Sequence, residues 1–143
     1  MTKTKEKELL VFNPIVTYSE SDLIEVMRIS EEDDLTRIDF LYEAPNYYKK
    51  GGWVSMEASC FIRPAGSTKK LPLVKACNIA LAPSKHYFKK CGELLAYTLY
   101  FPKLPEGVEV IDIIEHEGTC GNWFNFYGVE MKRVHRSLIY VEN

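Results

Sequence analysis

The stretch from Leu94 to Glu115 combines two strand patterns with an intervening turn, and it constrains the fold more than any other part of the chain. Four large apolar residues recur at every second position of its first half: Leu95, Tyr97, Leu99 and Phe101. This period of two places them on one face of a pleated strand. Pro102, Pro105 and Gly107 then favour a turn, because proline restricts φ and glycine accepts positive φ.

The second half of this stretch is a nearly continuous run of β-branched residues: Val110, Ile111, Ile113 and Ile114. Such a run predicts a strand that is buried on both faces, as in the middle of a sandwich sheet. Asp112 interrupts the run. A buried carboxylate costs several kcal/mol unless it is paired or hydrogen-bonded, so we expect a partner or a solvated edge for Asp112.

The remainder of the chain also has the signals of short strands. Residues 23–29 and 36–42 alternate in polarity around the acidic turn Glu31 to Asp34, which indicates a hairpin. Residues 53–62 are predicted to form one strand, and Gly128 marks a bulge in a later strand. No helical period extends beyond about two turns.

These patterns predict one all-β domain over residues 1–143, with a polar N-terminal arm at about residues 1–8. We expect a two-sheet antiparallel β-sandwich of about seven to nine strands with immunoglobulin-like topology. A flattened β-barrel is the alternative architecture.

A resemblance to a known family depends on the same central stretch. The pattern LYFPxLPxGxxxIDxIE, which runs from Leu99 to Glu115, and the segment Trp123 to Val129 resemble small β-sandwich domains of Bacteroidetes-type bacteria. Those domains are immunoglobulin-like and largely of unknown function. The resemblance therefore implies a fold and neither an activity nor any catalytic residue.

Composition excludes several classes of function. The formal net charge of −2 provides no electrostatic attraction for nucleic acid or for an anionic membrane. No apolar run is long enough to cross a bilayer. The charged residues from Met1 to Glu8 lack the apolar core of a secretory signal, so we expect a cytoplasmic protein. An exported protein from which the signal has been removed is the alternative.

The loop at residues 44–53 is the predicted binding surface. It carries Tyr47, Tyr48, Lys49 and Lys50 and ends at Trp53. Exposed aromatic rings beside lysines can stack on a ligand, and loops on a rigid sandwich often carry function. The alternative is that Trp53 and one tyrosine pack beneath the loop while the lysines keep it solvated.

A second cluster lies in the loop at residues 115–120. His116, Glu117 and Cys120 are competent ligands for a transition metal, and a thiol with a nearby base is also a nucleophile in some enzymes. The four cysteines, Cys60, Cys77, Cys91 and Cys120, have no zinc-finger spacing. They permit two disulfides in an exported protein, and Cys60 is the one expected in the core.

No phosphate-binding loop, nucleotide fingerprint or serine elbow occurs, so the sequence favours a non-enzymatic module without a cofactor. The expected partner is another protein, bound through an edge strand or through the aromatic loop. A homodimer through an edge strand is also open. Two further hypotheses are a metal- or thiol-dependent activity in the 115–120 loop and a small-ligand carrier that holds its ligand between the sheets.

Overall fold

The computed structural model describes residues 7–118, 123–131 and 133–135, with side chains for residues 9–118 and 123–131. All regular structure in these ranges is β, without a helix. In chain order the strands are β1 (Lys7–Phe12), β2 (Val16–Ser19), β3 (Ile24–Glu32), β4 (Leu35–Glu43), β5 (Trp53–Val54), β6 (Phe61–Pro64), β7 (Leu71–Pro72), β8 (Lys75–Cys77), β9 (His86–Tyr87), β10 (Leu94–Pro102), β11 (Val110–Ile114), β12 (Phe126–Glu130) and β13 (Arg133–His135).

The strands form two main antiparallel sheets. One has the order β13-β1-β3-β4-β10-β8 and the other the order β2-β12-β11-β6-β7. If β3 is taken as strand A, the series β3-β4-β10-β8 corresponds to A-B-E-D and β12-β11-β6-β7 to G-F-C-C′, which is immunoglobulin-like topology. The all-β, two-sheet prediction is therefore confirmed.

The two sheets pack face to face across one apolar core. Phe40 of β4 stacks on Tyr97 of β10 at 5.0 Å between ring centroids, and it meets Phe126 of the opposite sheet at 5.9 Å. The described strands of the two sheets are not joined into a closed barrel, so the flattened-barrel alternative is wrong. The described residues form thirteen strands rather than the predicted seven to nine, because several of the strands are only two or three residues long.

The acidic turn closes a β-hairpin, as predicted. Strands β3 and β4 pair from Ile24 with Tyr42 to Glu32 with Leu35, so the loop consists of Asp33 and Asp34. Both aspartates have positive φ, 53° and 64°. This is the backbone that a two-residue turn of type I′ requires, and aspartate tolerates it better than most residues.

Strand β11 lies at the centre of the five-stranded sheet and is buried on both faces, as its β-branched run predicted. Asp112 in this strand has the expected partners. Its carboxylate forms an ion pair with Arg63 at 3.0 Å and accepts the Gly128 N–H at 3.0 Å. Gly128 occupies the predicted bulge, where the register of β12 shifts opposite Asp112.

The prediction of one strand over residues 53–62 is wrong. Strand β5 pairs only with β9 in a small separate sheet, and Met56 forms an isolated bridge with Leu81. A turn follows, in which Cys60 N donates to the Glu57 carbonyl at 3.2 Å, and the chain enters the five-stranded sheet at β6. The Glu57 N–H donates instead to the Glu115 carboxylate at 3.2 Å. A side chain from the end of β11 therefore replaces a neighbouring strand as the hydrogen-bond partner at this point.

The predicted polar arm falls largely on residues 1–6, outside the described part of the chain, whereas Lys7 and Glu8 belong to β1. None of the described residues forms an apolar helix of membrane-spanning length.

Candidate functional site: an aromatic and acidic groove at one end of the sandwich

The 44–53 loop connects β4 to β5 and is fixed to the chain segment that precedes β10. Ala44 exchanges backbone hydrogen bonds with this segment, donating to the Glu93 carbonyl and accepting from Gly92 N at 2.9 Å each. Gly51 has a φ of 87°, and a Cβ at this position would lie 2.8 Å from the Lys90 carbonyl oxygen. Glycine is therefore required for the loop to approach its neighbour so closely.

The aromatic rings of this loop are exposed. Tyr47, Tyr48 and Trp53 retain 66%, 56% and 48% of their accessible surface, and the two tyrosine rings lie 4.9 Å apart. Large aromatic side chains normally bury most of their surface, whereas here both tyrosines expose more than half of theirs and Trp53 exposes nearly half. The alternative in which Trp53 and a tyrosine pack beneath the loop does not describe this structure.

The three rings line a groove of about 720 Å³. The other walls come from the 20–23 segment between β2 and β3, the 54–57 segment that begins in β5, the 82–85 segment before β9, Glu115 after β11, and Trp123 and Phe124 before β12. In the immunoglobulin-like order these are mainly the B–C, D–E and F–G connections, which meet at one end of the sandwich. Lys49 and Lys50 are exposed but do not line the groove.

Carboxylates dominate the polar part of the groove. Four acidic residues line it: Glu20, Asp22, Glu57 and Glu115. Glu115 is buried, and its two oxygens accept the backbone N–H groups of Phe124 at 2.8 Å and Glu57 at 3.2 Å. Burial raises the pKa of the Glu115 carboxyl because the low-dielectric interior disfavours its charged form, while the two backbone donors oppose this shift.

One lysine also lines the groove. The Lys85 ammonium lies 4.5 Å from the centroid of the Trp53 ring, within the range of a cation–π interaction. One face of the Trp53 ring therefore already contacts a cation.

Asn125 fixes the inner end of the groove. Its Oδ1 accepts the N–H groups of Glu115 and His116 at 2.7 and 3.2 Å. Its Nδ2 donates to the His116 carbonyl at 2.9 Å and to Glu20 Oε1 at 3.1 Å. This fully buried amide thus connects Glu20, on one wall, to the ends of β11 and β12.

The second predicted cluster is not assembled as a metal site within the described residues. The His116 ring packs on Trp123 at 4.1 Å, while Glu117 forms ion pairs with Lys70 at 3.0 Å and Arg63 at 3.9 Å. Cys120 lies outside the described residues. No group of three potential metal ligands occurs in the described part of the chain, and the metal or thiol hypothesis stays a prediction.

The described cysteines are free thiols. Cys60 is buried, as expected, whereas Cys77 is exposed and Cys91 is partly buried. The space between the sheets near Cys60 and Tyr97 is a narrow gap without room for a water molecule. This gap offers no visible volume for a carried ligand.

An edge-strand site has a weaker structural basis. Strand β2 forms one edge of the five-stranded sheet, and exposed apolar side chains occur in and just before it: Phe12, Ile15 and Tyr18. These residues do not line the groove. They provide an independent surface against which the groove can be tested.

Sequence reasoning located the aromatic loop but missed the acidic walls and the residues Lys85, Trp123 and Phe124. These residues are distant in sequence, and each resembles an ordinary loop residue by itself. No family model, curated protein or solved structure matches the chain.

Proposed function

We propose that this protein is a non-enzymatic binding module that holds a segment of a partner protein in the groove formed around the 44–53 loop. The observation that carries the proposal is the joint exposure of Tyr47, Tyr48 and Trp53 along a single concave surface. Tyrosine and tryptophan are enriched at protein interfaces, where they bury large apolar areas with little loss of side-chain entropy.

Several features support binding through the groove. The loop is fixed by backbone hydrogen bonds and glycine contacts, so its rings are pre-organised before a partner arrives. Pre-organisation lowers the entropic cost of association. The volume of about 720 Å³ accommodates several side chains of a bound segment.

A displayed library of random peptides of about twelve residues tests the proposal, since this length spans a typical recognition segment. Recovered peptides are labelled, and their affinity for purified protein is measured by fluorescence anisotropy. We expect a Tyr47→Ala/Tyr48→Ala/Trp53→Ala variant to bind at least about tenfold more weakly, because interface aromatics are frequent hot spots.

Two control variants sharpen this experiment. Lys49→Ala/Lys50→Ala changes the same loop at residues that do not line the groove, and Tyr18→Ala removes an exposed ring on β2. Both are expected to bind like the wild type. If the folded triple variant retained full affinity, the groove assignment would be wrong. Loss of binding in Tyr18→Ala alone would move the site to the sheet edge.

A further inference from the structure

We propose that the groove recognises a cationic side chain, arginine or lysine, on the partner protein. This inference depends on the proposed function and adds the chemical class of the bound group. It rests on the charges of the groove walls and on the contact between Lys85 and Trp53.

The first argument is charge complementarity. Four carboxylates line the groove, at Glu20, Asp22, Glu57 and Glu115, against one ammonium at Lys85. Within the described residues none of the four forms an ion pair with a lysine, arginine or histidine. The groove is therefore acidic, and although Glu20 and Glu115 accept neutral hydrogen bonds, a guest cation gains attraction from carboxylates that no cation of the described chain pairs with.

The second argument is the aromatic surface. Cations bind favourably over the faces of tryptophan and tyrosine, with tryptophan the strongest. Lys85 lies over Trp53 at 4.5 Å, which shows that an ammonium fits against this ring. A groove that combines aromatic faces with carboxylates favours a cation over a neutral or anionic group, because both kinds of wall attract positive charge.

The third argument concerns hydrogen-bond capacity at the inner end of the groove. Each Glu115 oxygen accepts one backbone N–H, and a carboxylate oxygen can accept about two hydrogen bonds. A guanidinium has five N–H donors in a planar fork, whereas an ammonium has three. The two remaining acceptor positions, one on each oxygen, suit the two parallel N–H groups of a guanidinium fork, which an ammonium does not present, so arginine matches this end of the groove better than lysine.

Lys85 acts as an internal competitor in this arrangement. A guest cation over Trp53 must displace the Lys85 ammonium or share the ring with it. Lys85→Met removes the competitor and keeps a flexible apolar stem. We expect this variant to bind a cationic guest about threefold more tightly, the scale of an exposed cation–π contact.

The experiment uses pools of nonapeptides with a fixed central residue and random flanks. Five pools contain arginine, its neutral analogue citrulline, lysine, leucine or glutamate at the centre. Binding is followed by intrinsic fluorescence, because the only two tryptophans of the chain, Trp53 and Trp123, both line the groove. We expect the arginine pool to bind at least about tenfold more tightly than the citrulline and glutamate pools.

Two variants connect the preference to the groove. Asp22→Asn/Glu57→Gln should reduce the arginine-to-citrulline ratio about fivefold, since it removes two of the carboxylates. Lys49→Met is the matched control for Lys85→Met. Lys49→Met makes the same change in net charge, but at a lysine that does not line the groove. We expect its affinity for the arginine pool to rise only slightly.

The outcomes separate this inference from the proposed function. If the leucine or glutamate pool bound as tightly as the arginine pool and still required Tyr47, Tyr48 and Trp53, cation recognition would be wrong and the groove would remain the binding site. If no pool required these three residues, the proposed function would fail, and the cation preference would fail with it. Equal gains for Lys85→Met and Lys49→Met would overturn the competitor role of Lys85.

Discussion

The Asn125 side chain holds the backbone of Glu115, and the Glu115 side chain holds the backbone of the residue next to Asn125. The Glu115 N–H donates to Asn125 Oδ1 at 2.7 Å, while the Glu115 carboxylate accepts the N–H of Phe124, the residue before Asn125, at 2.8 Å. These bonds join the end of β11 to the start of β12. They also fix Glu115 and Phe124 as walls of the groove. The same residues therefore stabilise the sandwich and shape its candidate site.

Asn125→Ala is expected to destabilise the protein by about 3 kcal/mol, because it leaves the buried Glu115 N–H and the partly buried backbone groups of His116 without their partner. Urea unfolding with tryptophan fluorescence measures the change. Asn46→Ala, at an exposed position, is the control and should change stability by less than about 0.5 kcal/mol. Equal effects of the two substitutions would show that the Asn125 hydrogen bonds contribute little.

Gly128→Ala is expected to cost about 3 kcal/mol of folding free energy, through left-handed backbone strain and a steric clash. Gly128 has a φ of 68°, and an added Cβ would lie 2.7 Å from the Thr17 Cβ. Gly107→Ala is the matched control, since its φ is 86° but an added Cβ meets nothing within 4 Å. It should cost only about 1 kcal/mol, the backbone strain alone. A difference of zero between the two variants would contradict the close contact of β12 with β2.

The buried carboxyl of Glu115 predicts a specific pH dependence. Burial raises its pKa above the ordinary value of 4.5, so the folded state binds this proton more tightly than the unfolded state does. The stabilisation from this proton is complete below about pH 4.5 and is lost as the pH rises through the raised pKa. The stability of the wild type relative to Glu115→Gln should therefore fall as the pH increases from about 4 to about 8.

Urea unfolding of the wild type and of Glu115→Gln across this pH range measures the difference between their free energies of unfolding. Groups other than Glu115 contribute equally to both proteins and cancel in this difference. Glu93→Gln is the control, because the Lys89 N–H donates to the Glu93 carboxylate at 2.9 Å and lowers the pKa of Glu93. Its stabilisation is present above about pH 4.5 and is lost as the pH falls below that value, so the control difference changes in the opposite direction with pH and only in the acidic part of the titration, which is extended below pH 4 for this control. A Glu115 difference that stayed constant with pH would contradict the predicted direction.

The cysteines should differ in reactivity towards a maleimide. Burial raises the pKa of Cys60 to about 12, so its thiolate is scarce at neutral pH, whereas Cys77 is exposed on the edge strand β8. In a Cys120→Ser background, we expect Cys77 to be modified first and Cys60 only after unfolding. Peptide mapping by mass spectrometry identifies the modified residues. Modification of native Cys60 at the rate of Cys77 would show that the two sheets separate readily.

Local sequence patterns were sufficient for the architecture. The alternation in β10 and the β-branched run of β11 each depend on neighbouring residues, and each appears in the structure as predicted. The hairpin of β3 and β4 also appears as predicted, but its turn is only Asp33 and Asp34, because Glu31 and Glu32 belong to β3. The expected partner of Asp112 and the bulge at Gly128 were also predictable, because a buried charge and a positive φ have few physical solutions.

The groove depended on contacts between residues that are far apart in the chain. Trp53 keeps about half of its surface exposed with Lys85 over its ring, and the Glu57 N–H donates to the Glu115 carboxylate rather than to a neighbouring strand. Neither fact is encoded in the residues adjacent to Trp53 or Glu57. Strand periodicity determines which face a side chain occupies, whereas the meeting of the connections at one end of the sandwich determines what lies opposite that face. The meeting of the connections at one end of the sandwich brought the aromatic rings and the carboxylates into one groove.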